Sequence, residues 1–550
     1  MDLIDQHTKE IMEDCKVRAH KAGLEFGGDS LEYIVKNRDL IELSPKVMIP
    51  TLYDYWVHDV EVLKEQGKYK ISPSNPYETV INSRPAISFY NDNNPDWLNT
   101  MIFYHVLGHI DFFRNNTLFE NTWTDDFVGQ ALADKRLIVQ LRSEKGRWLD
   151  YAIEFSRSID NICGYFEELY DTQFPQSMLP ESRLDYYFNI FLQERNSHSH
   201  PRLPEHEIFK EIERFNQIRS TGQPNPESNF LSEVKLRFPE FQALYDKFNS
   251  IKARELRNSS IDILEFVRDN SSFLNKESNL WMKEVMTIVR NTSLYFSPQI
   301  RTKIINEGWA SYWHEELFGK DERIAGHEID FAVINSKVTS ISRVGLNPYA
   351  IGLRLIQNVE DLADRGKLSL EFQEIFNSEN RESFNRKTGT GRQAIFELRK
   401  NFSDFMLVNT FVTQDFVDKY DLFVVGRRYN EDKSTYEYYV KSRKAEDYKQ
   451  MLIDSMYHPP KIDVDLTKTT DSVLYLTHKF EGRQLVREFI PDVLLGIEYL
   501  WSGCSGGNFQ VQLETTEIYK KKTTGDDAAE NEYKRVLYSM KEKKIGKEYL

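Results

Sequence analysis

The stretch Phe103-Tyr-His-Val-Leu-Gly-His-Ile-Asp-Phe-Phe-Arg-Asn-Asn116 places two histidines four residues apart in an apolar run. Residues at positions i and i+4 share one face of an α-helix, so His105 and His109 can reach the same metal ion. This is the histidine spacing of the zinc-binding HExxH helix, but Val106 stands where that motif carries its general base. The stretch therefore predicts a helix with a metal site and leaves the source of a catalytic base open.

A second segment, far along the chain, supplies a candidate third ligand. Asn306-Glu-Gly-Trp-Ala310 resembles the helical segment that provides a glutamate ligand in zinc enzymes with HExxH plus Glu. Glu307 with His105 and His109 would form a set of two imidazoles and one carboxylate, which leaves one coordination position for water. His314 lies seven residues after Glu307 on the same helical face. It is a candidate further ligand, hydrogen-bond partner of a ligand, or catalytic hydrogen-bond donor.

Hydrolysis at such a site would need a base other than Val106, because an aliphatic side chain cannot move a proton. Glu78, on a short predicted strand, is the preferred candidate, since an edge strand flanks the active-site cleft of zincins. Asp111 is a second candidate, as a partner of the ligands at the end of the histidine helix. Cys504 lies in a turn with no histidine near it in sequence, which disfavours a cysteine nucleophile.

The bulk composition excludes several classes of protein. The formal charge of −15 disfavours nucleic acid as a partner, because phosphate backbones would be repelled. Three widely separated cysteines exclude a disulfide framework. The amino terminus shows no secretion signal, and no segment approaches the about 20 apolar residues that span a bilayer. We therefore expect a soluble cytoplasmic protein.

The pattern along the chain predicts a mainly helical fold combined with a smaller α+β part. We expect a large helical, zincin-like domain over residues 1–405, interrupted by a loop-rich insertion at 171–230 that is rich in Pro, Ser and His. Alternating strand and helix patterns at 406–515 predict a small α+β domain. The highly charged residues 516–550 read as a peripheral tail.

Several of these segments, in order along the chain, resemble motifs of the stage V sporulation protein R (SpoVR) family. The matching blocks are Tyr77-Glu-Thr-Val-Ile-Asn-Ser-Arg-Pro85, the histidine stretch from His105 to Asn116, Thr302 through His314, Asn347-Pro-Tyr-Ala-Ile-Gly352 and Phe402-Ser-Asp-Phe-Met-Leu-Val-Asn-Thr-Phe411. The positions of His105, His109, Glu307 and His314 all fall within these blocks.

The resemblance implies a bacterial cytoplasmic protein linked to formation of the spore cortex, a peptidoglycan layer, or to stress physiology in bacteria that do not sporulate. It also implies a serine-kinase-like AAA protein and a von Willebrand A-domain protein as partners. It leaves the chemistry open, and with it the question of whether the protein is an enzyme.

Three hypotheses follow from the residues and the resemblance together. The first is a zincin-like hydrolase of amide or peptide bonds that uses a divalent metal, zinc in the first instance, on a peptide or peptidoglycan-derived substrate. The second is a non-catalytic regulatory pseudoenzyme that binds a serine-kinase-like partner. The third is a non-haem iron or two-metal enzyme that uses the same ligands with His314 and another carboxylate.

Overall fold

The computed structural model describes most of the chain as two compact units. The main unit comprises Met1–Leu169 and Ile263–Leu550, and the second unit comprises Tyr170–Asp262. The described residues are 2–27, 30–36, 78–120, 127–166, 169, 183–192, 205–220, 226–246, 262–342, 345–375, 377–430, 434–456, 458–504, 509–521 and 530–550.

Helices dominate the described part of the chain. In chain order they are α1 (Gln6–Lys21), α2 (Asp96–Asn115), α3 (Phe127–Lys145), α4 (Arg147–Cys163), α5 (Arg183–Tyr186), α6 (Glu205–Ser220), α7 (Pro226–Arg237), α8 (Ile263–Asn270), α9 (Leu280–Arg301), α10 (Lys303–Phe318), α11 (Glu328–Thr339), α12 (Pro348–Asp364), α13 (Leu370–Gln373), α14 (Ser378–Ser383), α15 (Gly391–Asn401), α16 (Asp404–Phe411), α17 (Gln414–Lys419), α18 (Ala445–Ser455) and α19 (Ile490–Ser502). None of the described helices is both long enough and apolar enough to cross a bilayer.

The strands form three small sheets. They are β1 (Asp2–Leu3), β2 (Ser30–Val35), β3 (Glu78–Ile81), β4 (Ala86–Asn91), β5 (Val424–Asn430), β6 (Thr435–Ser442), β7 (Lys461–Val464), β8 (Val473–Lys479), β9 (Gln510–Lys521), β10 (Glu530–Lys541) and β11 (Lys544–Tyr549). The first sheet has the order β1-β2-β4-β3, the second is the hairpin β5-β6, and the third has the order β11-β10-β9-β8-β7. The predicted combination of a mainly helical chain with a smaller α+β part is confirmed.

The prediction of a charged tail at 516–550 is wrong for the described residues. β9 continues to Lys521, and β10 and β11 complete a five-stranded sheet. Val536, Tyr538 and Met540 are buried at alternate positions of β10, which is the pattern of a strand with one face on a core. The surrounding charges concealed this alternation, and some of them form ion pairs across the sheet, such as Lys547 Nζ with Glu517 Oε2 at 2.9 Å.

The second unit begins where the insertion was predicted and extends beyond residue 230. Its described part is helical, with α5, α6 and α7, so the prediction of a loop-rich segment is wrong there. This part is helical because aromatic side chains form a small core, which the frequent prolines and serines of the sequence did not indicate. Tyr187, Phe230 and Phe241 have no exposed surface in this core.

The main unit has no division near residue 405, so the helical part and the α+β part belong to one compact unit.

Helix α2 lies at the centre of the main unit. Every side chain from Leu98 to Phe112 is buried, which is typical of a helix surrounded by other elements on all sides. It packs against α1, α10, α15 and the strands β3 and β4. The histidine stretch therefore lies in the core, where polar side chains require defined partners.

Three glycines allow α10 to lie closely between α2 and α12. A Cβ atom on Gly108 would lie 2.8 Å from Cα of Ala310, and one on Gly308 would lie 2.6 Å from Cα of Gly352. A Cβ atom on Gly352 would overlap the carbonyl oxygen of Ile304. Backbone therefore meets backbone at these points, and a larger residue would push the helices apart.

We predict that Gly352→Ala destabilises the protein by about 1–3 kcal/mol, because the added methyl overpacks the contact with α10. The measurement is the urea midpoint compared with wild type. Gln357→Ala, on the same helix and half-buried, is the control and should change the midpoint little. Equal midpoints for Gly352→Ala and wild type would contradict the close packing.

Candidate metal centre

The structure brings together the three side chains that the sequence predicted as metal ligands. Nε2 of His105 lies 3.1 Å from Nε2 of His109. Oε2 of Glu307 lies 3.6 Å from Nε2 of His109 and 3.9 Å from Nε2 of His105. We call these three residues the triad. They are the one group of three or more His, Cys, Asp or Glu side chains with convergent ligand atoms in the described part of the chain.

The start of α10 places Glu307. The N–H groups of Ile304 and Ile305 donate to the two carboxylate oxygens of Asp404, at 2.8 and 2.9 Å. Asp404 lies 100 residues further along the chain than Ile304 and therefore caps this helix through the tertiary fold. Burial raises the pKa of Asp404 to about 7, and the N–H groups of Ile304 and Ile305 oppose that shift.

Consecutive hydrogen bonds through Asn335 and His314 determine which ring nitrogen of His105 carries the proton. Nδ2 of Asn335 donates to Glu315 at 2.6 Å, so Oδ1 of Asn335 must accept from Nε2 of His314, at 2.8 Å. His314 then presents an unprotonated Nδ1, which lies 3.0 Å from Nδ1 of His105. It follows that His105 carries its proton on Nδ1 and that its Nε2 faces the triad with a lone pair.

His109 is oriented in the same way by a different residue. Its Nδ1 lies 3.0 Å from Oδ1 of Asn306, and donating to this oxygen leaves its Nε2 with a lone pair. The chain thus presents two imidazole lone pairs to each other across 3.1 Å. Burial, reinforced by His109 and His314, lowers the pKa of His105 well below its usual value. Burial also lowers the pKa of His314 to about 4, so both rings are neutral at pH 7.

The carboxylate of Glu307 adds a third acceptor to the same point. The hydroxyl of Tyr349 bonds to this carboxylate, but among the described residues no hydrogen bond reaches Oε2, which is buried. Burial raises the pKa of Glu307 to about 7, and Tyr349 and Lys303 oppose the shift. Two imidazole nitrogens with lone pairs and one carboxylate converge at this buried point, and such a set favours a bound cation.

The distances within the triad fit a small divalent ion. Four tetrahedral ligands about 2.1 Å from zinc lie roughly 3.4 Å from one another. The three separations of 3.1, 3.6 and 3.9 Å are close to this value. The residues present therefore suit a zinc-sized ion.

Two members of the triad, His109 and Glu307, line a cleft of about 310 Å³. Strand β3 and helices α2, α9, α10 and α12 contribute its walls. The lining residues are Val80, His109, Phe113, Gln299, Lys303, Asn306, Glu307 and Tyr349. The cleft is large enough for a small substrate group beside His109 and Glu307.

His314 does not point to the centre of the triad. It contacts His105 on the side remote from the other two members, and it is buried. This position matches one of the three roles considered for His314, that of a hydrogen-bond partner of a ligand. A role in catalysis stays a prediction.

Asp111 lies among structural partners. Its carboxylate accepts from the backbone of Glu25 at 2.7 Å and from the indole of Trp309 at 2.8 Å, and it lies 3.4 Å from Nε of Arg399. These contacts join α2 to three other segments of the main unit. None of these partners of Asp111 belongs to the triad. The predicted role of Asp111 in catalysis stays a prediction.

Two further positions bear on a catalytic base. Val106 is fully buried, as expected for a residue that packs in the core. Glu78 begins β3, two residues before Val80 in the wall of the cleft. The side chain of Glu78 lies outside the described residues, so its role as a base stays a prediction. Burial raises the pKa of Cys504 to about 11, which disfavours a reactive thiolate.

Sequence reasoning missed three residues around the triad. Asn306 and Tyr349 stood inside motifs already quoted, beside Glu307 and after Pro348, but no spacing rule assigned them a role. Asn335 stood in no motif, and it reaches His314 only because α11 packs near α10. Polar residues adjacent to a candidate ligand were the one signal available.

Comparisons with known proteins place the chain in a group of relatives. The family model described as "SpoVR like protein" matches residues 2–458. The curated "Uncharacterized protein YcgB" of Escherichia coli (strain K12) is 23% identical over 373 residues, which cover 65% of this chain and 64% of that protein. The chain thus spans less than two thirds of the length of that curated relative. No solved structure matches the chain.

We predict that metal-free protein at neutral pH shows His105 and His109 protonated at Nδ1 and His314 at Nε2. The measurement is ¹⁵N nuclear magnetic resonance of the histidine rings. Asn335→Ala removes the acceptor of His314 and should change the tautomer balance of His314 and His105, whereas Asn380→Ala, an exposed asparagine, should not. A His314 ring protonated at Nδ1 in the wild type would contradict the chain of donors.

Proposed function

The chain belongs to the SpoVR-like protein family, and we propose that it holds one divalent metal ion and uses it to hydrolyse an amide or peptide bond. His105, His109 and Glu307 would be the ligands and zinc the ion. The observation that carries this proposal is the convergence of two imidazole lone pairs and an orphaned carboxylate oxygen within a buried site that opens into a cleft.

A divalent ion in this position would supply Lewis acidity toward a carbonyl group in the cleft. The residues of the chain have separate tasks. Asn306 and His314 hold the two imidazoles in the tautomer that presents Nε2. Tyr349 bonds to Glu307 and lines the cleft, so it holds the carboxylate of Glu307 in place.

Val106 leaves the reaction without the base of an HExxH helix, and we propose Glu78 for this task. β3 forms part of the wall of the cleft through Val80, which supports a base on this strand. The arrangement of a metal helix beside a strand is the zincin-like element of the proposal. A substrate derived from peptide or peptidoglycan is consistent with a cleft of this size.

A second candidate is a non-haem iron enzyme. The observation that favours it is the composition of the triad, since two histidines and one carboxylate with open positions are also the ligand set of Fe(II) oxygenases. The buried Val106 is also compatible with this candidate, because oxygen chemistry does not require a base at that position. The identity of the bound metal separates the two candidates.

We predict about one equivalent of metal in protein purified without chelator and without a nickel-affinity tag, measured by mass spectrometry of the ions. His109→Ala and Glu307→Ala each remove one ligand and should reduce the metal content to near zero. Zinc would support the hydrolase and iron the second candidate.

The matched control is His327→Ala, which removes a histidine that stacks on Trp97 outside the triad. This variant should retain the metal of the wild type. Wild-type protein without metal, or ligand variants that keep it, would contradict the proposal. Metal without hydrolysis of any peptide or muropeptide would instead favour a regulatory protein that binds a kinase-like partner.

We predict that Glu78→Gln abolishes hydrolysis and leaves the metal content unchanged, because the amide keeps the shape of the side chain but cannot accept a proton. Turnover is measured with the peptide or muropeptide that the wild type cleaves. Wild-type turnover in this variant would exclude Glu78 as the base without affecting the proposed metal site.

A further inference from the structure

Lys303 is the one cationic side chain among the described residues that line the triad cleft. It is the first residue of α10, and it is exposed. No carboxylate oxygen of the described residues lies within 4.0 Å of Nζ of Lys303, the distance that defines an ion pair. Its charge is therefore available to a group that enters the cleft.

The position of Lys303 relative to the triad is fixed by the helix. Lys303 and Glu307 are four residues apart on α10, so they share one face and are separated by about 6 Å along the axis. The charge of Lys303 acts on Glu307, since it opposes the rise in the pKa of that carboxyl group. The ammonium group is therefore carried on the same face of α10 as the proposed ligand Glu307.

The balance of charge in the cleft favours an anionic group. Glu307 is the one carboxylate among the described lining residues, and as a ligand it would be engaged by the divalent ion. Asp404, the other acid at the start of α10, is buried and accepts from two backbone N–H groups. With a divalent ion bound, the charges of the ion and Lys303 would outweigh those of Glu307 and the proposed base Glu78, although the whole chain carries a charge of −15.

We propose that Lys303 binds a carboxylate of the substrate next to the amide bond that is cleaved. This inference rests on the proposed function and specifies its substrate class, a peptide or peptide-like amide with a free carboxylate beside the scissile bond, such as a C-terminal residue. Successive carbonyl carbons of a peptide are three bonds apart, roughly 3–4 Å. With the reach of each oxygen to its partner added, this spacing is comparable to the about 6 Å along α10 between Glu307 and Lys303. One ammonium group matches one negative charge, whereas phosphate groups are more often held by several donors.

The test compares two small probes on zinc-loaded protein by titration calorimetry. The probes are the monohydroxamate of succinic acid, which joins a metal-binding group to a carboxylate, and its isosteric primary amide, which is neutral. We expect the carboxylate probe to bind about tenfold more tightly than the amide probe, the preference typical of one charge-assisted hydrogen bond.

Three variants locate the source of this preference. Lys303→Gln should remove it by weakening the carboxylate probe alone, and Lys303→Arg should largely restore it. Lys320→Gln removes the same charge from the residues just after α10, outside the cleft, and should leave both affinities unchanged. Zinc content is measured for every variant and should stay at the wild-type level.

The outcomes separate this inference from the proposed function. Wild-type protein that binds no zinc would overturn the metal site itself. Zinc-loaded protein that binds both probes equally, or binds neither, would overturn the role of Lys303 and leave the metal site standing. A preference that survives in Lys303→Gln would also overturn it, because the carboxylate would then be held by another group.

Discussion

The close packing of α10 between α2 and α12 is the constraint on which the candidate site depends. Gly108 and Gly308 let backbone approach backbone at distances that no Cβ atom tolerates. Each of these glycines is adjacent in sequence to a member of the triad, His109 or Glu307. The contact of Gly108 with Ala310 determines the distance between α2 and α10, which carry the ligands, and the contact of Gly308 with Gly352 holds α10 against α12. The close approach of α2 and α10 brings Glu307 to within 4 Å of both imidazoles.

Burial gives this arrangement its chemical character. A solvent-exposed pair of neutral imidazoles and a carboxylate would be hydrated and largely indifferent to a cation. In the core, the hydrogen bond from His109 to Asn306 and the one from His105 to His314 hold the two imidazoles with Nε2 toward Glu307. The same burial lowers the pKa of His105 well below its usual value and raises the pKa of Glu307, so the site in the absence of a cation is costly in free energy. A bound divalent ion would relieve that cost.

Much of the fold and of the candidate site could be predicted from the sequence, because a regular spacing of residues indicates regular secondary structure. The apolar run around His105 indicated a helix, and its i, i+4 histidines had to share a face. The alternation of strands and helices at 406–515 indicated an α+β region. The prediction failed where the amino-acid composition hid the spacing of the buried residues. Charged residues masked the alternation of Val536 and Tyr538 in β10, and the prolines and serines of the second unit masked its aromatic core.

The sequence by itself determined the residues that can serve as ligands and the faces of the helices on which they lie, because helix geometry is local. It also determined the absence of a base at Val106. Only the tertiary structure decided that Glu307 meets His105 and His109 almost 200 residues away, that Asp404 caps α10, and that Asn335 sets the tautomer of His314. Those relations depend on how separate helices pack, and no local pattern carries that information.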